Sequence, residues 1–549
     1  MKKLFLLLLL CAAAVSFAAE PVMRIGIMTD THVTGKKRSC ALLKEALTLF
    51  KQQNVDMIIN LGDVSNVYEE PAYKNYRDTV REVFGSTLPN EVFVFANHDR
   101  MKREKESVWE VFKDVKKHLE CKHEPYDVIK HKGYTFLVIP QFADRAKYIA
   151  MLDKAVKENP DKPIFVLDHV PGFDTVFNSK TWGDPRRRQI LSKYPQVIQL
   201  SGHVHGTLTN ELNIWQGEYT AVNAGSLSPW GGEFVGNEPV GMKSDMVLIM
   251  EVFENKIVFR RYFATTKEEY GADNLWSVPI PFDPQNAPYT IAGRKEKSAA
   301  PDFSADAKVK VVCKKNEVRM TFPGVNEAFC YKIELFRQAD GAWKRFARKD
   351  FISEFMKPVA KRSKVLTKAF DIGYFEAGKE YQVKITPVNF FDKEGKSIVG
   401  TFTVKERPED TVVFESKDPM KELAFKNGLE GGNSFKIDSD GYYIHDRFEG
   451  RLIFPDNVWE GKRRTKFRFT IDMQTIQPTA RRWTLCLRNP KPLSNANNRI
   501  STEGGDSGVQ RYVITFSKAQ DFFNYYLLIR EGGKGKIRFD YVKIERIDK

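Results

Sequence analysis

Short apolar runs that each stop on an aspartate, an asparagine or a histidine organise the first half of the chain. Met23–Met28 runs into Thr29-Asp30-Thr31-His32, and Val55–Leu61 ends on Gly62-Asp63. Glu91–Ala96 ends on Asn97-His98-Asp99, and Ile164–Leu167 on Asp168-His169. Val197–Leu200 leads to Gly202-His203-Val204-His205. Segments with helical spacing of apolar residues lie between them: Cys40–Gln52, Ala72–Phe84 with Gly85 as its stop, Glu104–Leu119 and Ala146–Lys157. That alternation is the pattern of βαβ units. Parallel strands carry their carboxyl ends to one edge of a sheet, and open α/β sheets place ligands there.

Eight groups are thereby expected at one edge: Asp30, His32, Asp63, Asn97, His98, His169, His203 and His205. They include five of the nine histidines of the chain. A lone Asp or His at a strand end reads as a cap. Eight of them, buried without a counter-charge, would be very costly, and a divalent cation supplies that charge. No thiolate belongs to the set, which excludes a closed structural zinc site of the cysteine type. Carboxylate, imidazole and amide oxygen together suit Mn, Fe, Zn or Co with positions left open for water and substrate.

In this order the five motifs resemble the calcineurin-like metallophosphoesterase family over residues 22–265. The resemblance implies a two-sheet α/β sandwich with a dinuclear metal centre. One metal takes Asp30, His32, Asp63 and His205, the other Asp63, Asn97, His169 and His203, with Asp63 as the bridge. It further implies that a hydroxide held between the metals attacks phosphorus and that His98 protonates the leaving oxygen. Asn223-Ala224-Gly225-Ser226 resembles the stretch that follows the last histidine motif, with a structural role. Ala96 stands where the family usually has glycine. Asn66 stands where protein phosphatases carry an aspartate that orients the catalytic histidine; its amide oxygen is expected to accept from His98. Asn66 thus argues against that branch, and Asn66 and His32 together argue against the purple acid phosphatases, which have a tyrosine there and lack a histidine in the first motif. For the substrate, Arg100 follows the Asn-His-Asp motif, Arg186-Arg187-Arg188 lies in the loop before His203, and Trp182 and Trp230 lie on loops at the same edge.

The rest of the chain is β-rich. Met246–Phe263 reads as a hairpin turning near Glu254-Asn255, and Val278–Ala307 as a linker. Residues 296–407 are short alternating strands. Phe375–Asn389 resembles the late-strand region of a fibronectin type III domain, where a turn feeds a strand led by a tyrosine, here Tyr381. The basic run Lys357–Lys368 reads as an anion contact or a solvated loop. Residues 408–549 resemble a jelly-roll module of the carbohydrate-binding type. Tyr443, Trp459 and Trp483 are candidates for stacking on sugar rings, or core aromatics of a sandwich. The fold class is therefore an α/β two-sheet domain at residues 19–295 followed by two all-β sandwiches.

Lys2-Lys3, the apolar Leu4–Val15 and Ser16-Phe17-Ala18 form an export signal over residues 1–18. The apolar run is shorter than the roughly 20 residues of a spanning helix. An exported, periplasmic or extracellular protein is expected. Leu10 before Cys11 argues against a lipid anchor. Cleavage after Ala18 lowers the net charge from +15 to +13. Such a balance suits anionic partners such as phosphate compounds, nucleic acid or acidic polysaccharide, or simply a soluble basic surface. Five cysteines remain; an oxidising compartment permits a Cys313–Cys330 bridge, and buried free thiols are the other reading.

The function expected is a metal-dependent hydrolase of phosphomonoesters or phosphodiesters, with a glycan or cell-surface polysaccharide as a partner of the C-terminal module. Two alternatives remain. A surface- or glycan-binding protein with a structural metal domain predicts lost ligands, and none is lost. A nuclease fits the positive charge, but the sequence lacks the interleaving of aromatic and basic residues that strand binding uses.

Overall fold

A computed structural model describes residues 20–227, 234–235, 238–239, 245–427, 436–445, 449–461, 464–476, 484–488, 499–501, 508–517, 526–530 and 535–547. The expected export signal, Cys11, Trp230 and Trp483 lie outside them. The chain divides into two units, one running to Ser298 apart from residues 234–239, and one formed by those six residues with Ala299–Lys549. No helix among the described residues is long and apolar enough to cross a membrane.

In the first unit, strands β1 (Met23–Met28), β2 (Met57–Asn60) and β3 (Asn90–Phe93) run parallel. Met246–Val252 and Lys256–Phe263 extend them as an antiparallel hairpin in a seven-stranded sheet. A six-stranded sheet has the order β4 (Asp127–His131), β5 (Tyr134–Ile139), β6 (Ile164–Asp168), β7 (Val197–Ser201), β9 (Thr220–Asn223), β8 (Ile214–Gln216). Its four middle strands are parallel. Ile25, Ile27, Ile59, Val92, Phe136, Phe165, Leu200, Met250 and Phe259 meet in one core between the sheets. Helices Ala41–Gln52, Glu70–Phe84 and Val108–Leu119 bury their apolar faces on the outside of the first sheet. Helices Arg145–Glu158 and Pro185–Leu191 cover the second. Burial on both faces explains why β2, β5, β6 and β7 read as apolar runs.

Two corrections concern this unit. The helix expected from Glu104 begins at Val108, because residues 101–106 turn. The expected linker Val278–Ala307 is partly structured: Trp276–Pro279 pairs with Lys256–Phe259, and Ile291–Lys297 is a helix. Arg294 of that helix donates to the carbonyls of Glu211 and Ile214, and the Tyr289 amide donates to Gln216 Oε1. Its lysines and prolines disguise a segment that is anchored through arginine and backbone contacts.

The second unit is all β. A three-stranded sheet (Lys310–Cys313, Glu317–Pro323, Val365–Asp371) faces a four-stranded one (Ala342–Ile352, Cys330–Ala339, Glu380–Val388, Ile398–Thr403) across a core containing Tyr331, Phe351, Phe370 and Val383. The Tyr381 hydroxyl accepts from the Glu376 amide (2.7 Å), the corner that sandwich domains use to start a late strand. Two five-stranded sheets follow around a second core. Tyr443 and Trp459 belong to that core, 5% and 1% exposed, so neither offers a face to a sugar. Residues 357–364 are mostly exposed, the solvated-loop reading of that basic run. Cys40, Cys121, Cys313 and Cys330 are free, with Cys40 and Cys330 buried and Cys313 exposed; no bridge links Cys313 to Cys330.

Arg468, fully buried, joins the two sandwiches. Its guanidinium pairs with Asp371, at the end of a strand of the first sandwich, and with Asp410 in the connection to the second. The Val513 amide also donates to the Tyr374 hydroxyl. Removing one partner of such a pair strands the others in the interior. Arg468→Ala is expected to destabilise the protein by about 3–5 kcal/mol, read as a lower urea midpoint. A variant as stable as the parent would contradict the assignment.

Candidate metal centre

The turns that follow β1 and β2 run side by side. The amides of Asp30, His32 and Val33 donate to the carbonyls of Gly62 (3.0 Å), Asp63 (3.1 Å) and Val64 (2.9 Å). The turns after β6 and β7 do the same through Gly202, whose amide donates to the His169 carbonyl (2.9 Å). Asp30 ties the sheets together. Its Oδ2 accepts from the Thr29 hydroxyl (2.7 Å) and from the His203 amide (3.0 Å).

These turns bend in a way that side chains resist. Asp30 (φ 49°), His32 (43°), Asp63 (51°), His203 (69°) and His205 (52°) are all left-handed. Outside glycine this costs on the order of 1–3 kcal/mol per residue and is found where surrounding structure enforces it. Two glycines make the close approach. A Cβ on Gly62, itself at φ 110°, would stand 2.7 Å from Ala96 Cβ and 2.8 Å from His169 Nδ1. One on Gly202 would stand 2.0 Å from Thr29 Oγ1 and 2.5 Å from Asp30 Oδ2.

The result is a set of groups with ligand atoms close together. Asp30 Oδ1 lies 3.0 Å from His205 Nε2 and 3.7 Å from His32 Nε2, and the two Nε2 atoms are 3.2 Å apart. Ligands held at about 2.0–2.2 Å from one cation stand roughly 3–3.5 Å from each other, so this triangle has the right size. Asp63 Oδ2 lies 3.2 Å from His169 Nε2, and His203 completes that group within 4.8 Å. Asp63 also falls in a group with His32 and His98. Asp63 is thus common to two of the three groups.

The unpartnered atoms test the fit. Asp30 Oδ1, Asn97 Oδ1 and His169 Nε2 are buried and accept no hydrogen bond. The His169 Nδ1 proton goes to the Leu61 carbonyl (2.8 Å), which turns the Nε2 lone pair inward. Carboxylate, amide and imidazole acceptors left bare in the interior fit cations. The electrostatics agree. Burial opposes a charge on His169, yet the carboxylates of Asp63 and Asp30 hold its pKa up at about 10. Burial and the neighbouring His169 push His203 down to about 4. Burial works against ionised Asp30 too, but His205 and His169 bring it well below the usual carboxylate range. The pocket asks for positive charge and meets part of the demand with a proton.

Of the remaining candidates, His98 stands at the rim, its ring edge-on to His32 at 4.6 Å between centroids. Its Nδ1 donates to the Asn66 backbone carbonyl (2.7 Å), not to the side-chain amide that the sequence suggested. Its own amide donates to Asp63 Oδ1 (2.9 Å). Arg100 turns away, its guanidinium donating to the carbonyls of Glu104 and Glu106. Arg187 is buried against Asp168 and Asp184, and Arg188 pairs with Glu218. Trp182 is 56% exposed, with its ring 6.2 Å from that of His203. Asn223 donates to the Gly202 carbonyl (2.7 Å), the structural role expected of that stretch.

Two supporting groups were not foreseen. Asp99 accepts from the Ser65 amide (3.2 Å) and from the Tyr73 hydroxyl (3.3 Å), and burial raises its pKa to about 7 with Asp63 adding to the effect. Gln141 Oε1 accepts from the Asn97 amide (2.8 Å). The motif Asn97-His98-Asp99 carried the first signal; nothing in the sequence carried the second.

Residues 23–207 match the family model described as Calcineurin-like phosphoesterase, and this stretch is a domain of that family. The family consists in general of metal-dependent phosphoester hydrolases, and the clustered Asp and His groups agree with that. No curated protein matches the chain. Three solved structures among those that match share a faint likeness. A Clostridium thermocellum endo-1,4-beta-D-xylanase (CBM22-1-GH10 modules) shares 11% identity at TM-score 0.20, covering 25% of this chain. A Phanerochaete chrysosporium exo-beta-1,3-galactanase shares 7% at TM-score 0.19, covering 55% of this chain. A tandem CBM22 domain from Paenibacillus barcinonensis shares 9% at TM-score 0.19, covering 55% of this chain and 91% of that one. The chain spans 29% of the xylanase structure and 65% of the galactanase. Likenesses at this level define no common fold.

Gly202→Ala tests the close approach. The added methyl group displaces Thr29 and Asp30, and overpacking of this kind costs about 1–3 kcal/mol. Titration calorimetry with Mn²⁺ is expected to show weakened uptake together with a lower melting temperature. Parental uptake would mean that the approach is slack.

Proposed function

We propose that this protein is an exported dinuclear-metal phosphoesterase that hydrolyses phosphomonoesters or phosphodiesters. The observation that carries the reading is the buried Asp63 carboxylate, which groups with His169 and His203 on one side and with His32 on the other, beside three bare acceptor atoms. Asp30, His32, Asp63 and His205 would hold one metal; Asp63, Asn97, His169 and His203 the other. Mn, Fe, Zn and Co all suit this oxygen and nitrogen set. When bound, two such cations supply the positive charge that neutralises phosphoryl oxygens and lowers the pKa of a nearby water.

The chain's own residues do the rest. Asp63 sets the spacing of the two positions. The strained turns fix Asp30, His32, His203 and His205 before substrate arrives, so no reorganisation is needed during reaction. His98 moves the proton. Because its Nδ1 proton is engaged by the Asn66 carbonyl, Nε2 is the nitrogen that carries and releases a proton to the leaving oxygen. A neutral carbonyl orients the ring as an aspartate would, but lends less support to the imidazolium.

Residues 296–407 are taken as a fibronectin type III-like module, supported by the Tyr381 corner, and residues 408–549 as a jelly-roll-like module, supported by its two five-stranded sheets. Export rests on the leader at residues 1–18.

Three variants separate the roles. Asp63→Asn removes the shared anion and is expected to abolish both metal retention and turnover. Asn97→Ala is expected to weaken one metal position. His98→Ala is expected to keep metal while losing about 10²–10⁴ in kcat on alkyl phosphate esters. The loss should shrink with p-nitrophenyl esters, whose leaving group needs no proton. Equal losses on both substrate types would refute His98 as the acid.

Chelation supplies a second check. Dialysis against EDTA should silence the enzyme, and a series of Mn²⁺, Fe²⁺, Zn²⁺ and Co²⁺ should restore it. Full turnover in metal-free protein would sink the reading.

A further inference from the structure

The chain's positive charge is not shared evenly. Residues 1–298 carry 39 Lys and Arg against 37 Asp and Glu, net +2. Residues 299–549 carry 47 against 34, net +13 of the chain's +15. Most of that sits in the first sandwich, where residues 308–405 hold 21 basic against 11 acidic side chains. The metal centre stands in the neutral half.

Part of this charge lines a groove. Strand Lys310–Cys313 is the edge of the three-stranded sheet, and Ile398–Thr403 the edge of the four-stranded one. A cavity of about 860 Å³ opens beside the point where these edges meet, lined by residues 311–315, Phe402, Thr403 and residues 405–408. Lys314, Lys315 and Lys405 line it, all exposed, and none makes an ion pair among the described residues. Arg407 also lines it but is held by Glu545 (2.6 Å), and Glu406 is its acidic lining residue. Three ammonium groups with no partner on one concave surface call for an anion.

The shape narrows the choice of anion. A peptide added as a further strand needs an open sheet edge. Here the edges close on each other: the Cys313 thiol donates to the Thr403 carbonyl, and a Cβ on Gly400 would stand 2.7 Å from Val309 Cγ1. Single-stranded nucleic acid needs aromatic platforms. The second unit exposes only valine and isoleucine among its large described apolar residues, and Phe402 in the groove packs on Phe375 and Tyr381. A bilayer presents a plane, which a groove cannot follow. What remains is a slender, flexible chain with regularly spaced negative charges, gripped by ammonium groups and aliphatic walls.

We propose that this groove binds a linear anionic polysaccharide through Lys314, Lys315 and Lys405. The contact lies in the first sandwich and works through charge. The second sandwich, with Tyr443 and Trp459 in its core, was the place where sugar stacking had been expected. The proposal holds whether or not the phosphoesterase reading does, since binding is measured apart from turnover.

The test uses the full chain and labelled polygalacturonate, with neutral dextran, duplex DNA and phosphatidylglycerol vesicles as the other arms. Parent protein is expected to bind polygalacturonate, to lose it as salt rises, and to ignore dextran. Replacing Lys314, Lys315 and Lys405 together by Gln is expected to weaken binding about tenfold, the sum of three exposed ion contacts. The same three positions changed to Arg should retain it. Lys357, Lys361 and Lys364 changed together to Gln serve as the control, and binding should hold. Turnover of a small phosphate ester should be parental in all three variants. An equal loss in the control set would place the effect in bulk charge and overturn the groove. Undiminished binding in the Gln variant, or tighter binding of DNA or vesicles than of polygalacturonate, would overturn it as well.

Discussion

Two carboxylates, those of Asp30 and Asp63, are buried to 0% and 1% exposure with no lysine or arginine beside them among the described residues. Histidines are the groups that face them. Burying a carboxylate without a counter-charge costs several kcal/mol per ion even after relaxation. Five left-handed residues on three turns, two crowded glycines and a web of backbone donors create this situation. Strain of that kind survives only where the structure around it over-determines the backbone. The two sheets provide the rigidity: each turn begins at the end of a strand buried on both faces. The fold and the site are thus one arrangement, in which core packing holds charges where solvent would scatter them.

The orientation of His98 follows the same economy. The Asp63 side chain accepts from the amide of His98, so the residue common to two of the three groups also fixes the start of the turn that carries His98. Asn66 contributes its carbonyl, which any residue could supply at that place. What the side chain at position 66 decides is therefore what else stands near His98, and an amide there adds no second negative charge.

Much of the catalytic unit was legible because its signals are local. Strand Tyr134–Ile139 coincides with its apolar run, and the hairpin at residues 246–263 turns where Asn255 predicts. Seven of the eight strand-end residues fall into close groups, since parallel strands carry their carboxyl ends to one edge. Arrangements that depend on tertiary contact were not legible. Strand Asp127–His131 alternates half-buried and exposed residues and lacks an apolar run. The helix at Ile291–Lys297 is held by Arg294 and its neighbours, a signal that composition hides. Left-handed φ at Asp30, His32, Asp63, His203 and His205 cannot be read from residues that ordinarily avoid it. Trp459 and Tyr443 show the opposite error: aromatic type suggested a sugar platform, and burial decided for the core. Arg100 and Arg187 turn to other partners for a related reason. Sequence proximity to a motif says nothing about which way a long side chain turns.

Those arginines bear on how phosphate would be met. The buried guanidiniums of the catalytic unit are committed elsewhere: Arg77 to Glu91, Arg187 to Asp168 and Arg261 to Glu211. Each serves the scaffold, and Arg100 serves a loop. A phosphate ester entering the pocket would therefore find two buried carboxylates and a ring of imidazoles, with none of the buried guanidiniums among the described residues free to receive it. In that state the pocket repels an anion. Cations at the two ligand groups reverse the sign of the field, so on the proposed reading metal loading and substrate affinity are one event. Enzymes that clamp phosphate with arginine can bind substrate before the reacting centre is complete. On the same reading this pocket separates the tasks differently: residues 1–298, which hold the ligand groups, carry a net charge of only +2, and residues 299–549 carry +13.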